Sequence, residues 1–222
     1  MSRPYYREWT NMRHHKGKSF IAPTKLFKAD RALYFPNLHG QTYSKDDLNE
    51  DTTAVLAGKT SIVCIYSTKW AENQANTFVS EEKHPELRKL VEENRGILQI
   101  VRVNHVDDIM QAWLVKLFMP SVRRRMSMEE QARQFLIRKG FTEDIREAIG
   151  VLNSKVGYTF LVDKECRIRW AGSAHAQPEE KESLLRGVRR LLEEHQARKE
   201  GKVEERRIEE SPSRAQPAEA VA

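Results

Sequence analysis

The stretch Ser61-Ile62-Val63-Cys64-Ile65-Tyr66-Ser67-Thr68-Lys69-Trp70-Ala71-Glu72-Asn73-Gln74 governs the reading of the whole chain. Its first six residues form an apolar, β-rich run without polar alternation, the pattern of a strand buried on both faces. Helical sequence follows from about Ala71. A helix start directly after such a strand suits disulfide exchange, because the helix dipole lowers the pKa of a thiol there and a second cysteine can resolve the product. Trp70 is present, yet alanine and glutamine occupy positions 71 and 74, where a Cys-x-x-Cys pair would stand. Glu72 and Asn73 are ordinary first-turn residues. The position is reactive in design and carries no sulfur.

The sequence beyond this stretch places it in a sheet. The helix is interrupted before Pro85 and resumes over residues 85–94, where Leu87, Leu90 and Val91 give an apolar stripe that Gly96 stops. Residues 97–103 (ILQIVRV) predict the next strand. Residues 107–118 predict a helix capped by Asp107 and Asp108 and ended by Pro120. Residues 127–140 predict a second helix, opening with Ser127 and Glu130 at capping-box spacing and closing on Gly140. A third, short one starts at Thr142. Residues 157–163 and 167–172 predict two strands close enough to form a hairpin. An amphipathic helix over 177–195 then aligns Leu184, Leu185, Val188, Leu191 and Leu192. Upstream, residues 32–44 predict two short strand pieces around a turn at Asn37–Gly40.

Strand, helix, strand, helical stretch, strand, strand, helix describes a right-handed β-α-β unit followed by β-β-α. The predicted class is α/β: a thioredoxin-like mixed sheet flanked by helices, in the peroxiredoxin-like variant because of the extra N-terminal hairpin. A Rossmann fold is excluded, since no Gly-x-Gly-x-x-Gly follows a strand. Thioredoxin-type enzymes place a cis-proline before the later strand, and here Tyr158 stands at that place. A cis bond without proline costs about 2.5–4 kcal/mol, so a trans bond is expected. Two separate parts of the exchange machinery are missing.

Charge divides the chain into three. Residues 1–31 hold eight Lys or Arg against two acids, which accounts for the whole net charge of +6. They are expected to form a basic extension, with Arg3, Arg7, Arg13, Lys16 and Lys18 as candidate contacts to an anionic surface. An import signal is a further reading of an Arg-rich, acid-poor start. Five aromatics in the segment (Tyr5, Tyr6, Trp9, Phe20 and Phe27) favour docking over cleavage. Residues 32–196 form the predicted domain. Residues 197–222, rich in charge, Ser, Pro and Ala, are expected to be a disordered tail. No apolar run approaches the ~20 residues needed to span a bilayer as a helix.

Other chemistry has little to work with. The two cysteines, Cys64 and Cys166, make no disulfide framework, and Cys64 reads as a small buried hydrophobe. The seven histidines show no metal-ligand spacing, so neither metal nor cofactor is expected. His105 with Asp107 and Asp108 stands at the carboxyl edge of a strand, where α/β sheets bind ligands, but reads as a loop histidine beside helix-capping acids. Arg123-Arg124-Arg125 reads as a solvated basic turn.

Four stretches, residues 17–40, 61–74, 99–108 and 156–174, resemble the mitochondrial F-type ATP synthase assembly factors of fungi. The resemblance runs from about Tyr5 to Leu192. It implies a thioredoxin-like chaperone without catalysis that holds the newly made a subunit and promotes its association with the rotor ring. It also implies a peripheral place on the matrix side of the inner membrane, no nucleic-acid partner, and an import sequence upstream of the matched region. A chaperone of so apolar a client needs exposed apolar surface. The helix at 107–118 places Trp113, Leu114, Leu117 and Phe118 on one broad face; Leu114 and Phe118 are assigned to the core, while Trp113 and Leu117, with Trp70, are candidate client contacts. A redox enzyme with a non-standard thiol and an RNA-binding protein using the basic arm are the alternatives. Neither has a recognised motif here.

Overall fold

The computed structural model describes residues 18–44, 49–106 and 109–209. In chain order the elements are β1 (His39–Thr42), β2 (Glu50–Asp51), α1 (Thr52–Leu56), β3 (Thr60–Tyr66), α2 (Lys69–Val79), α3 (Pro85–Glu93), β4 (Leu98–His105), α4 (Ile109–Arg123), α5 (Met128–Ala132), β5 (Gln134–Ile137), α6 (Glu143–Ala148), β6 (Tyr158–Val162), β7 (Ile168–Ser173) and α7 (Pro178–Glu209). The strands form one sheet of order β2-β1-β5-β4-β3-β6-β7. β3 lies near its middle, with all seven residues buried, paired in parallel with β4 (Ile62 opposite Ile100) and antiparallel with β6 (Ile62 opposite Leu161). β7 continues antiparallel from β6. Two parallel strands joined by helices, then an antiparallel hairpin and a covering helix, make the fold thioredoxin-like. No peptide bond is cis among the described residues, so Tyr158 follows a trans bond.

Helices cover one face, and loops together with α1 and α6 cover the other. On one, Phe78, Leu87, Leu184 and Val188 pack over Ile62, Leu161 and Trp170, with Phe78 edge-on to Trp170 at 5.7 Å. On the other, Phe35, Leu38, Leu56 and Phe141 pack over Val63, Val103, Phe135 and Phe160.

Four expectations about the elements differ from the structure. Residues 134–137, expected inside a helix, are the strand β5, because Phe135, Leu136 and Ile137 are buried between β4 and β1. The capping box of Ser127 and Glu130 does start a helix, but one that ends at Ala132. Residues 37–40 do not form a hairpin turn: β1 runs through His39 and Gly40 and pairs with β2 and β5. Glycine is needed there because a Cβ at position 40 would lie 2.7 Å from the Leu136 carbonyl oxygen. Third, α4 runs past Pro120 to Arg123, with the proline exposed. Last, α7 extends to Glu209 and takes in the first residues of the 197–222 segment expected to be a disordered tail; Lys, Arg and Glu there favour helix. Residues 210–222 lie outside the described residues.

The boundary at residue 31 does not mark a break either. Residues 18–35 lie along β7, with the Phe27 amide donating to the Arg169 carbonyl (2.7 Å), Ile168 to Leu33 (2.7 Å) and Phe35 to Cys166 (2.7 Å). The segment thereby occupies hydrogen-bonding groups that an edge strand would leave open. Lys18, expected to face an anionic surface, is half-buried and ion-paired to Glu180 at 2.7 Å. Glu180 also accepts from the amides of Ala22 (3.0 Å) and Gln177 (2.8 Å). Arg3, Arg7, Arg13 and Lys16 lie outside the described residues.

Candidate recognition site

The carboxyl end of β3 delivers the chain into α2 through Ser67 and Thr68. Thr68 is the N-cap, its hydroxyl accepting from the Ala71 amide (3.1 Å), which satisfies one orphan donor of the first turn. Ala71 and Gln74 are both fully buried. What buries them is the backbone ahead of β6. The Gly157 amide donates to the Gln74 side-chain oxygen at 2.9 Å, and a Cβ on Gly157 would lie 2.1 Å from the Ala71 carbonyl oxygen. The position that could hold a reactive sulfur pair is thus a tight backbone-to-helix contact closed by one hydrogen bond. The missing sulfur is visible in the sequence and this seal is not; a glycine directly before β6 is the signal for it.

Around the seal the groups are engaged structurally. The Ser67 hydroxyl donates to the Ser154 carbonyl, and the Tyr158 hydroxyl accepts from the Asn153 amide (2.9 Å) and bonds the Ser19 hydroxyl (2.6 Å). His105 is the last residue of β4 rather than part of a loop; it is buried and edge-on to Phe141 at 5.1 Å. Asp107 and Asp108 lie outside the described residues. Trp70, next to the seal, points outward with its indole edge-on to His175 at 6.5 Å.

The thiols are not poised for attack. Cys64 is fully covered, and burial pushes its pKa up. Cys166 is also raised, first by burial and then by the carboxylates of Asp163 and Glu165. The nucleophile in thiol chemistry is the thiolate, and both environments disfavour it. Among the described residues no group of His, Cys, Asp and Glu converges to hold a metal ion. A cavity of about 390 Å³ opens between α3 and α5 over Ile100 and Arg102. Arginines 88, 95, 102 and 133 line it together with glutamates 81, 92, 129 and 130, leaving no excess of either charge.

The apolar surface lies on α4. Among the described side chains of α4, Val115 and Met119 pack inward with Tyr43, Val106 and Leu136 at the β5–β1 end of the sheet. Met110, Trp113, Leu114, Leu117, Phe118 and Val122 are exposed, Trp113 and Phe118 by about 60% each (62% and 60%). Leu114 and Phe118 therefore do not belong to the core. Arg123 closes the helix by donating to the carbonyls of Tyr43 and Ser44, whereas Arg124 and Arg125 are exposed. The structure thus leaves both Trp113 and Leu117 accessible, on α4, with Trp70 at the start of α2.

The protein family described as ATP10 protein matches residues 1–191. A Candida glabrata protein named mitochondrial ATPase complex subunit ATP10 is 30% identical over 188 residues, covering 84% of this chain and 67% of that protein. Its namesake from Saccharomyces cerevisiae is 33% identical over 184 residues, covering 79% and 66%. The chain spans about two thirds of the length of these relatives. Among solved structures, a DsbF homologue from Corynebacterium diphtheriae superposes with a TM-score of 0.46 at 9% identity, over 79% of this chain and 93% of that one. A secreted thiol-disulfide isomerase from Corynebacterium glutamicum gives 0.46 at 8%, over 74% and 88%.

Proposed function

Because the chain belongs to the ATP10 protein family, we propose that it is an assembly factor of the mitochondrial ATP synthase that acts by recognition rather than catalysis. The observation that carries this reading is the seal at Gly157. The helix end that could present a thiolate instead buries Ala71 and Gln74 against backbone. A scaffold of this kind can still bind.

The client is the newly made a subunit of the membrane sector, held until it joins the rotor ring. The protein works in the mitochondrion, peripherally on the matrix face of the inner membrane. Supporting this are the resemblance of the four quoted stretches, the names of the relatives, and an apolar row on α4 that is exposed where a membrane protein could meet it. No helix among the described residues is long and apolar enough to cross a membrane. Trp113 and Leu117, with Trp70, are the client contacts.

The experiment is photocrosslinking in mitochondria that are translating their own genome, with the probe placed in turn at positions 70, 113 and 117. The expected product is an adduct with the labelled a subunit from at least one position. Adducts with RNA, or with no membrane-sector subunit from any position, overturn the proposal.

A further inference from the structure

The exposed row on α4 comes with a one-sided charge pattern. Residues 109–128 contain no Asp or Glu and four Lys or Arg: Lys116, Arg123, Arg124 and Arg125. The structure separates these four. Arg123 is taken up by the Tyr43 and Ser44 carbonyls, while Lys116, Arg124 and Arg125 are exposed. Acids stand on both sides of the helix: Asp107 and Asp108, outside the described residues, precede it, and after it Glu129 pairs with Arg133 at 3.1 Å and Glu130 is held in the capping box by Ser127.

At ~100° per residue, Met110, Trp113, Leu114, Leu117, Phe118 and Val122 spread over about half of the helix circumference. Leu114 falls near the middle of that arc and Trp113 on its margin. A protein groove would take a narrower stripe. A broad apolar arc with an indole at its border, on a helix that carries cations and no acid within residues 109–123, is the composition of a helix lying in a bilayer interface.

We infer that α4 is a membrane-docking helix that lies on an anionic lipid surface, with Leu114 and Phe118 in the headgroup–acyl boundary and Arg124 and Arg125, at its end, against lipid phosphates. This deepens the assembly reading and rests on it only for the place where the protein works. It leaves Trp113, on the margin, able to meet a membrane-embedded client side-on.

The test uses the full chain and phosphatidylcholine vesicles with or without phosphatidylglycerol, read by flotation; it contains no client. Binding is expected to the anionic vesicles and to weaken with salt. Each cation near such a surface strengthens binding about five-fold, so R124E/R125E, which removes two cations and adds two acids, is expected to lose at least about twenty-five-fold. Leu114→Asp with Phe118→Asp is expected to lose at least about a hundred-fold through the lost apolar insertion. The milder pair Leu114→Gln with Phe118→Gln checks the result if the aspartates disturb folding, which circular dichroism reports.

Three results overturn the proposal. The folded parent chain could ignore anionic vesicles. The Leu114 and Phe118 pairs could bind as tightly as the parent while R3E/R7E/R13E loses binding, which would place docking on the arm. The parent could be a dimer that the Leu114 and Phe118 pairs dissociate, which would make the row a contact with a second copy. Crosslinking from position 113 to the a subunit is scored separately, so failure of lipid docking and failure of client recognition are distinguishable.

Discussion

Replacing Gly157 by alanine probes the contact between β6 and α2 with the smallest possible change. The glycine does not have left-handed backbone, so alanine can adopt its conformation and the whole effect is steric. The new methyl would meet the Ala71 carbonyl oxygen at 2.1 Å, the Ala71 carbonyl carbon at 3.1 Å and the Ala75 amide nitrogen at 3.1 Å. All three are helix backbone, so no side-chain rotation relieves the clash. Overpacking of this kind costs about 1–3 kcal/mol. Separation of the two elements also weakens the Gly157–Gln74 hydrogen bond, worth about 1 kcal/mol. The sum is about 3 kcal/mol, which in a domain of this size lowers Tm by roughly 6–12 °C. Thermal and urea unfolding followed by circular dichroism measure it. A Gly157→Ala chain within about 0.5 kcal/mol of the parent would refute the reasoning, because it would mean that the backbone before β6 does not seat on α2.

Two further outcomes are expected. The double replacement Cys64→Ala with Cys166→Ala should leave assembly of the ATP synthase intact, and in the folded parent both thiols should react with Ellman's reagent only as fast as the protein opens. Loss of assembly by a folded double variant would restore the redox alternative. His84, buried at the start of α3 with its Nδ1 2.8 Å from the Phe78 carbonyl oxygen, has its pKa lowered below the ordinary 6.5, chiefly by burial. The folded state therefore holds this imidazole neutral more strongly than the unfolded chain does. Its contribution to stability is fully present above pH 6.5 and is lost as the pH falls from there through the lower folded value. Urea unfolding across that range should show a stability slope that His84→Gln flattens; an unchanged slope in the variant would assign the effect elsewhere.

What local composition can encode was legible. The buried strand at Ser61–Tyr66, the hairpin of β6 and β7, the apolar face of α7 and the missing sulfur at positions 71 and 74 are facts about neighbouring residues and their chemistry. They were enough for the class of fold. Residues 134–137 were misread because three consecutive apolar residues after a capping box fit a buried helix as well as a strand flanked on both sides; only the presence of β1 and β4 decides between them. Lys18 carries the same charge whether it faces lipid or Glu180, and only the folded chain brings the two together across 162 positions.

The apolar stripe on α4 makes the same point for function. Leu114 and Phe118 have the spacing of core residues, and hydrophobic periodicity shows that a face exists without showing what lies opposite it. Val115 and Met119 pack against Tyr43, Val106 and Leu136, and the wider face, with Leu114 and Phe118, is left to solvent. The sequence by itself therefore determined the kind of scaffold and the loss of its sulfur, because periodicity and residue identity are local. The tertiary structure alone decided that Gly157 seals the vacated helix end and that α4 faces outward, because each depends on which distant segment comes to lie across from it.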